Sequence, residues 1–385
     1  MGIDRRSFLT ASARVILTVT TIGGKQFAQA AGARSPERPW QQAFEEKSAD
    51  PRIRAMAFAI LAPNVFNLQP WLAELPGDDR LLLHCDPARR LPQCDREDRE
   101  TVISFGNFLE LLRMAAAQDG YRLEITAFPE GEPYPSLDAR PIASVRFIKE
   151  GAAKDPLFAS VLKRRTCKLP FDQAKPVEGR VLTQLSAAGL AGTHLQASND
   201  DALVARLRRI ASDAIQIEKS TSRINLEKVA ITRIGPAEIE AIPDGIALRG
   251  PMVESAVDTG VLSRAQLAIP DSIASQNEIN NYRRLCDTAK AYVWLSTGGN
   301  KRADQLAAGR DWLRLHLKAT ELGVAFEPQS PALNDYPEMR ALLTSVHETL
   351  SIPNGQRVQM LGRLGYAPQS AEAARWPVET RILPA

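Results

Sequence analysis

The sequence predicts an α+β fold made of two related halves in one chain. Strand-like runs alternate with amphipathic helical stretches over most of its length, and neither a GxGxxG turn nor a P-loop is present, which sets aside a Rossmann domain and an NTPase. One helix pattern occurs twice. Phe105 to Leu123 and Ala308 to Phe326 align with Gly106 on Gly309, Leu112 on Leu315, Ala116 on Ala319 and Gly120 on Gly323, a constant offset of 203 (309 − 106 and 323 − 120). Each copy closes on a glycine and leads into a strand-like run. The Pro- and Gly-rich stretch Pro129 to Pro141 marks the boundary, giving an N-terminal half over 51–150 and a C-terminal half over 151–385.

The elements follow in order. Residues 1–30 carry Arg5-Arg6 within Asp4 to Leu9, a moderately apolar stretch Val15 to Ile22, and the small-residue site Ala28-Gln29-Ala30. This resembles a twin-arginine export signal, and the apolar stretch is far below the ~20 residues that span a bilayer, so no permanent anchor is expected. Residues 31–50 read as a polar linker. Asp50 followed by Pro51 is the favoured cap order for a helix that runs to about Leu61 and stops before Pro63. A strand near Leu81 to Cys85 precedes a helix from about Arg96 to Gln118, and strands are expected at Leu123 to Phe128 and Ala143 to Ile148.

The second half opens with a short helix before Arg164. Helices are expected at about Glu178 to Ala188 and Ala202 to Lys219, a strand at Ala291 to Ser296, the repeat helix over Gly309 to Leu322, and a strand over Gln356 to Tyr366. Ile224 to Gly250 reads only as a loop and helix that cover the site.

Two segments carry candidate chemistry. Lys163 to Phe171 reads KRRTCKLPF, so Arg164, Thr166 and Lys168 recur at every second residue. In an extended chain that spacing puts a guanidinium, a hydroxyl and an ammonium on one side, roughly 6 to 7 Å apart, within reach of a phosphate. Pro170 favours extended geometry just before it. The alternative is a solvated basic face. Pro63 to Trp71 reads PNVFNLQPW, with Asn64, Asn67 and Gln69 bracketed by Pro63 and Pro70. Side-chain amides offer a donor and an acceptor side by side, which suits the edge of a flavin ring. They suit equally a turn whose amides cap nearby backbone.

Taken together, these segments resemble those of the nitroreductase superfamily, and most closely its Acg-like branch. The resemblance runs from about Asp50 to the C-terminus and implies a nitroreductase-like fold, two halves fused as a pseudo-dimer, and a flavin mononucleotide (FMN) at their seam. It assigns the FMN phosphate to Arg164, Thr166 and Lys168 with Arg165 between them, and the partner-half loop to Pro63, Asn67 and Gln69. Asn64 and Val65 stand where related chains carry serines. Arg375, within Ala374-Arg375-Trp376-Pro377, is by the same resemblance a third cation on the phosphate; a surface arginine on an extended tail is the alternative. Gln329 and Ser330 match the strand and loop beside the flavin N5. Pro331 stands where a glycine is usual, and proline has no N–H to give, which leaves the amide of Ser330.

Composition agrees with a globular chain. The 385 residues are 44% hydrophobic and 24% charged, with a formal charge of +3. Residues 1–30 hold Arg5, Arg6, Arg14 and Lys25 against Asp4, so the remainder is near neutral and nucleic-acid binding is not indicated. Cys85, Cys94, Cys167 and Cys286 have no CxxC spacing, the four histidines form no ligand pattern, and a metal site is not expected. The expected function is that of an exported, monomeric FMN oxidoreductase reducing nitroaromatics, quinones or similar small acceptors, with NAD(P)H as donor by analogy and the twin-arginine export machinery as a partner. A binding protein that sequesters or presents FMN with little turnover is the rival reading.

Overall fold

The computed structural model describes residues 35–384. The twin-arginine segment and its cleavage site lie outside the described residues. In the first half α1 (Arg38–Glu45), α2 (Pro51–Ala59), β1 (Trp71–Glu74), β2 (Arg80–Cys85), α3 (Arg99–Gln118), β3 (Tyr121–Ala127) and β4 (Ala143–Lys149) follow one another. The second half runs α4 (Gly179–Ser186), β5 (His194–Ser198), α5 (Asp201–Ser220), α6 (Ser222–Ala230), β6 (Thr232–Ile234), α7 (Gly235–Ala241), β7 (Ile246–Leu248), α8 (Pro251–Asp258), α9 (Arg264–Ala268) and α10 (Ile273–Asp287). It ends with β8 (Ala291–Thr297), α11 (Arg302–Glu321), β9 (Ala325–Pro328), α12 (Arg340–Thr349) and β10 (Arg357–Gly365).

Each half contains a four-stranded antiparallel sheet, ordered β1-β2-β4-β3 in the first and β5-β8-β10-β9 in the second. The two orders correspond strand for strand. In both, the long helix joins the second strand of the sheet order to the edge strand at its far end, so the repeated helix pattern marks a repeated topology. The fold is the expected α+β one.

Helices α3 and α11 cross where the repeat places its glycines. A Cβ on Gly106 would lie 2.2 Å from the Leu306 carbonyl oxygen, and one on Gly309 would lie 2.0 Å from that of Ile103. Each glycine meets the carbonyl three residues before the other, the reciprocal contact that a local twofold relation demands. With no side chain on either, the backbones come into direct contact. Because α3 lies between the sheets and its partner helix, it is buried without a break from Arg99 to Leu112.

Several elements differ from the sequence reading. The segment read as a polar linker holds α1, with Trp40 and Ala43 both 3% exposed in the core. Helix α3 starts at Arg99, because Asp98 is left-handed at φ 56° and its carboxylate is taken by Arg90 at 2.9 Å and the Leu137 amide at 2.7 Å. The short helix before Arg164 is a 3-10 run over Pro156–Lys163. Strands β1 and β5 and helices α10 and α12 were not anticipated. Ile224 to Gly250 resolves into most of α6, then β6, α7 and β7, the two strands pairing in parallel. All four cysteines are free and buried. Among the described residues no helix is long and apolar enough to cross a membrane.

Candidate anion site and amide loop

The site is organised by the end of α2. Asp50 caps its start by accepting from the Arg52 amide at 2.8 Å, and Pro63 prevents it from continuing, so the carbonyls just past it need partners from elsewhere. Two guanidiniums supply them. Arg375 donates from Nε to Ile60 O at 3.0 Å and from Nη2 to Leu61 O and Ala62 O, each at 3.3 Å. Arg164 donates from Nη2 to Leu61 O at 3.0 Å. Cations at this end also suit the negative pole of the helix dipole. Arg165 lies alongside, with Nη1 on Leu162 O at 2.8 Å and Arg164 O at 2.7 Å and Nη2 paired with Glu372. The adjacent Arg164 and Arg165 and the distant Arg375 therefore gather at one place.

The charge there is poorly balanced. Arg164 and Arg375 are each 3% exposed, and among the described residues neither has a carboxylate as a hydrogen-bond partner. Burial, together with neighbouring guanidiniums, lowers each to about 9, so both stay protonated at neutral pH. His316 supports Arg164 without cancelling it. Its Nε2 lies 2.9 Å from Arg165 O and so carries the proton, leaving Nδ1 to face Arg164 Nη1 at 3.5 Å. Burial first, and the charge of Arg164 second, hold this imidazole well below its usual range and therefore neutral. Buried cations balanced by little more than Glu372 and neutral dipoles favour an incoming anion. A recess of about 570 Å³, lined by Glu37, Arg165, Arg249 and Gln369 to Glu372, opens beside them.

The amide loop meets this cluster at Asn67, whose Oδ1 accepts from Arg375 and whose Nδ2 donates to Ala374 O at 3.0 Å. Three non-glycine residues of the loop are left-handed: Phe66 at φ 43°, Asn67 at 59° and Gln69 at 53°. Such conformations cost of order 1 to 3 kcal/mol each and persist only where surroundings hold them. Asn64 and Gln69 do part of that holding. Asn64 Nδ2 donates to Ala62 O at 3.1 Å and its Oδ1 accepts from the Gln69 amide at 2.8 Å. The fully buried Gln69 side chain reaches Pro243 O at 2.8 Å and the Trp376 amide at 2.9 Å. From α3, Asn107 donates to Pro63 O and Ser104 Oγ accepts from the Val65 amide, both at 3.0 Å. Asn64 thus caps neighbouring backbone, the alternative open from the sequence, whereas Gln69 and Asn67 bond to segments far away in the chain.

The remaining candidates are placed as follows. Thr166 is half-buried and Lys168 exposed, and the charges acting on Arg164 are those of Arg375 and Arg165, so the every-second-residue face does not form as expected. The reason is that Arg164 turns inward to the end of α2. Beyond it, the Cys167 amide donates to Phe326 O at 2.9 Å, which lays this segment along β9, and β9 leads to Gln329 and Ser330. Gln329 points into the core, its Nε2 3.1 Å from Cys286 Sγ, while its Oε1 is buried with no hydrogen-bond partner among the described residues. Ser330 reaches Glu100 Oε2 at 3.3 Å. Glu100 lies one turn before Ser104 on α3, so Ser330 and the amide loop share a face of that helix. Burial raises the Glu100 carboxyl to about 7 despite the nearby Arg99.

Reasoning from sequence missed Trp40, His316, Glu372 and Asp244. Trp40 was a lone large aromatic in a polar stretch, a usable signal. His316 sits at the repeat offset from Arg113, which by itself signals nothing. The covering role given to Ile224 to Gly250 has a counterpart: Gly245 donates to Asn67 O at 3.1 Å, and Asp244 binds Arg89 at 2.6 Å and Trp376 Nε1 at 2.8 Å.

No family model matches the chain. Among curated proteins, an uncharacterized protein of Mycobacterium tuberculosis is 31% identical over 122 residues, 31% of this chain and 35% of that protein. The Putative NAD(P)H nitroreductase acg of the same organism is 30% identical over 138 residues, 34% of this chain and 40% of that one. The chain thus spans well under half the length of these first relatives. A further putative NAD(P)H nitroreductase of M. tuberculosis is 24% identical over 320 residues, covering 82% of this chain and 85% of that protein. Among solved structures, a nitroreductase with bound FMN from Desulfitobacterium hafniense aligns at a TM-score of 0.34 with 12% identity, over 60% of this chain and 100% of that one. A nitroreductase-like protein from Bacillus cereus gives 0.33 and 14%, over 60% and 97%. Two of these sequence relatives thus carry the name of putative NAD(P)H nitroreductases.

Proposed function

We propose that this protein is an exported, FMN-binding oxidoreductase of nitroreductase type, with one flavin site where the two halves meet. The observation that carries the reading is the trio Arg164, Arg165 and Arg375, of which Arg164 and Arg375 are buried with no carboxylate bonded to them among the described residues, joined through Asn67 to the strained amide loop. The donor set fits the cofactor. Guanidiniums with neutral acceptors behind them suit a phosphate, while Asn67, Ser330 and the exposed Lys168 stand on the segments that surround the trio. A bound flavin supplies redox chemistry of its own. This chain's residues then hold the anionic tail, orient the ring and limit access. No side chain is assigned as acid, base or nucleophile.

The acceptors proposed are nitroaromatics, quinones or related small molecules, with NAD(P)H as the donor by analogy. Export by the twin-arginine route suits a protein that folds around its cofactor first. It also argues for a membrane-linked or protein donor, since free nicotinamide nucleotides are not expected outside the cytoplasm. A second reading, an FMN-sequestering or FMN-presenting protein, is favoured by Pro331, which has no N–H, and by Asn64 and Gln69, whose side-chain amides are already engaged, Asn64 within its own loop and Gln69 with Pro243 O and the Trp376 amide. An anaerobic titration separates them. Purified yellow protein is mixed with NADPH and then with dithionite: bleaching by both supports the oxidoreductase, and bleaching by dithionite alone supports the binding protein or another donor. A protein that takes up no FMN at all rules out both.

A further inference from the structure

Trp40 lies against all three guanidiniums of the anion site. The ring centroid is 5.6 Å from Arg164 Cζ, 4.5 Å from Arg165 Cζ and 5.7 Å from Arg375 Cζ. The indole is 3% exposed and its Nε1 donates to Ala373 O at 2.8 Å, next to Arg375. The strand of contacts continues on both sides. The Arg375 amide donates to Pro36 O at 2.8 Å, and Arg249 ties Glu37 at 2.5 Å to Glu372 O at 2.8 Å. Residues 36–40 are thus fastened beside the arginines at several points.

Arg164 and Arg375 are buried, and only the half-buried Arg165 has a carboxylate partner, Glu372; like charges placed so close repel one another, and a further carboxylate between them would neutralise them and compete with any anionic ligand. An aromatic face attracts cations through its quadrupole and leaves their charge in place. We propose that Trp40 is a positioning residue of the anion site, holding Arg164, Arg165 and Arg375 together so that the phosphate of a nucleotide ligand meets one preassembled cluster. The proposal rests on the flavin reading only for the identity of that nucleotide; the clustering itself concerns any phosphate. Riboflavin, which lacks the phosphate, is indifferent to it.

The test uses the full chain as wild type, Trp40→Leu and Trp40→Phe, with FMN, riboflavin and inorganic phosphate as probes. Flavin binding is followed by fluorescence and phosphate binding by calorimetry. Trp40→Leu is expected to weaken FMN and phosphate by about tenfold or more, to leave riboflavin within about twofold, and Trp40→Phe to recover most of the loss. Unchanged FMN affinity overturns the proposal. So does an equal loss for FMN and riboflavin, the result of a merely structural role, and so does tighter FMN binding, the result if the indole is a plug. If the leucine variant does not fold, fluorinated tryptophan incorporated at constant size weakens the ring face, and FMN must still lose affinity relative to riboflavin. A wild type that binds phosphate but not FMN removes the flavin reading while the phosphate arm still decides on Trp40; one that binds neither removes both.

Discussion

Arg164 and Arg375 carry two duties, closing the end of α2 and presenting charge. Truncating them removes both. Arg164→Ala combined with Arg375→Ala is expected to give colourless protein, since charge-assisted contacts to a phosphate are worth about 1.5 to 3 kcal/mol each. Lys168→Ala, at an exposed position outside the trio, is expected to cost less. Absorbance of the purified variants after FMN loading checks both, and full flavin content in the double variant rules out the assignment. Glu100 gives a pH signature. Its carboxyl is raised by burial to about 7 in the folded protein, so the folded state holds a proton that the unfolded chain has released above the ordinary carboxylate range. Stability from this group is therefore present at low pH and lost as pH rises toward and through 7. Glu100→Gln removes that loss, so the melting temperature of the variant should gain on wild type as pH rises from 5 to 8. A difference that is flat with pH refutes the shift.

At the level of elements, the crossing of α3 and α11 is the tightest constraint. A methyl group at Gly106 or Gly309 must push one helix backbone away from the other, because the obstructing atoms are backbone carbonyls and cannot rotate aside. Gly106→Ala and Gly309→Ala are each expected to destabilise by about 1 to 3 kcal/mol or more, seen as a lowered melting temperature. Since both probe one contact, the double variant should lose less than the two single losses added; full additivity refutes the shared crossing. Elements also show where sequence was readable. The α2 cap at Asp50-Pro51, the buried strand β8 and the repeat helices stood out because cap chemistry, an apolar run and glycine spacing are local signals. β1 and β5 did not: β1 is only four residues long, and the pairing of β5 with β8 is set by residues far along the chain. Helix α1 was hidden by its charged flanks; its contacts with distant segments, Trp40 with Ala373 O and the guanidiniums and Pro36 O with the Arg375 amide, explain why that polar segment is fixed.

Across the whole molecule, two sheets of one topology share a pair of crossing helices, yet the segments that build the candidate site are not duplicated. The basic KRRTCK run occurs only in the second half and the strained amide loop only in the first. One flavin per chain is therefore expected, measured as the ratio of flavin absorbance to protein in a fully loaded sample; a ratio of two overturns the single-seam reading.

The sequence by itself determined the α+β class, the duplication and the segments from which the site is built, because periodicity, glycine spacing and cap residues act over a few positions of chain. Tertiary structure alone decided that Arg164 turns in and Lys168 out, that Asn64 serves the loop while Gln69 reaches Pro243 and Trp376 and Asn67 meets Arg375, and that Trp40 lies on the cationic trio. Those outcomes depend on which carbonyls, charges and rings come together from residues up to about three hundred positions apart, and closeness of that kind is a property of packing that no local pattern encodes.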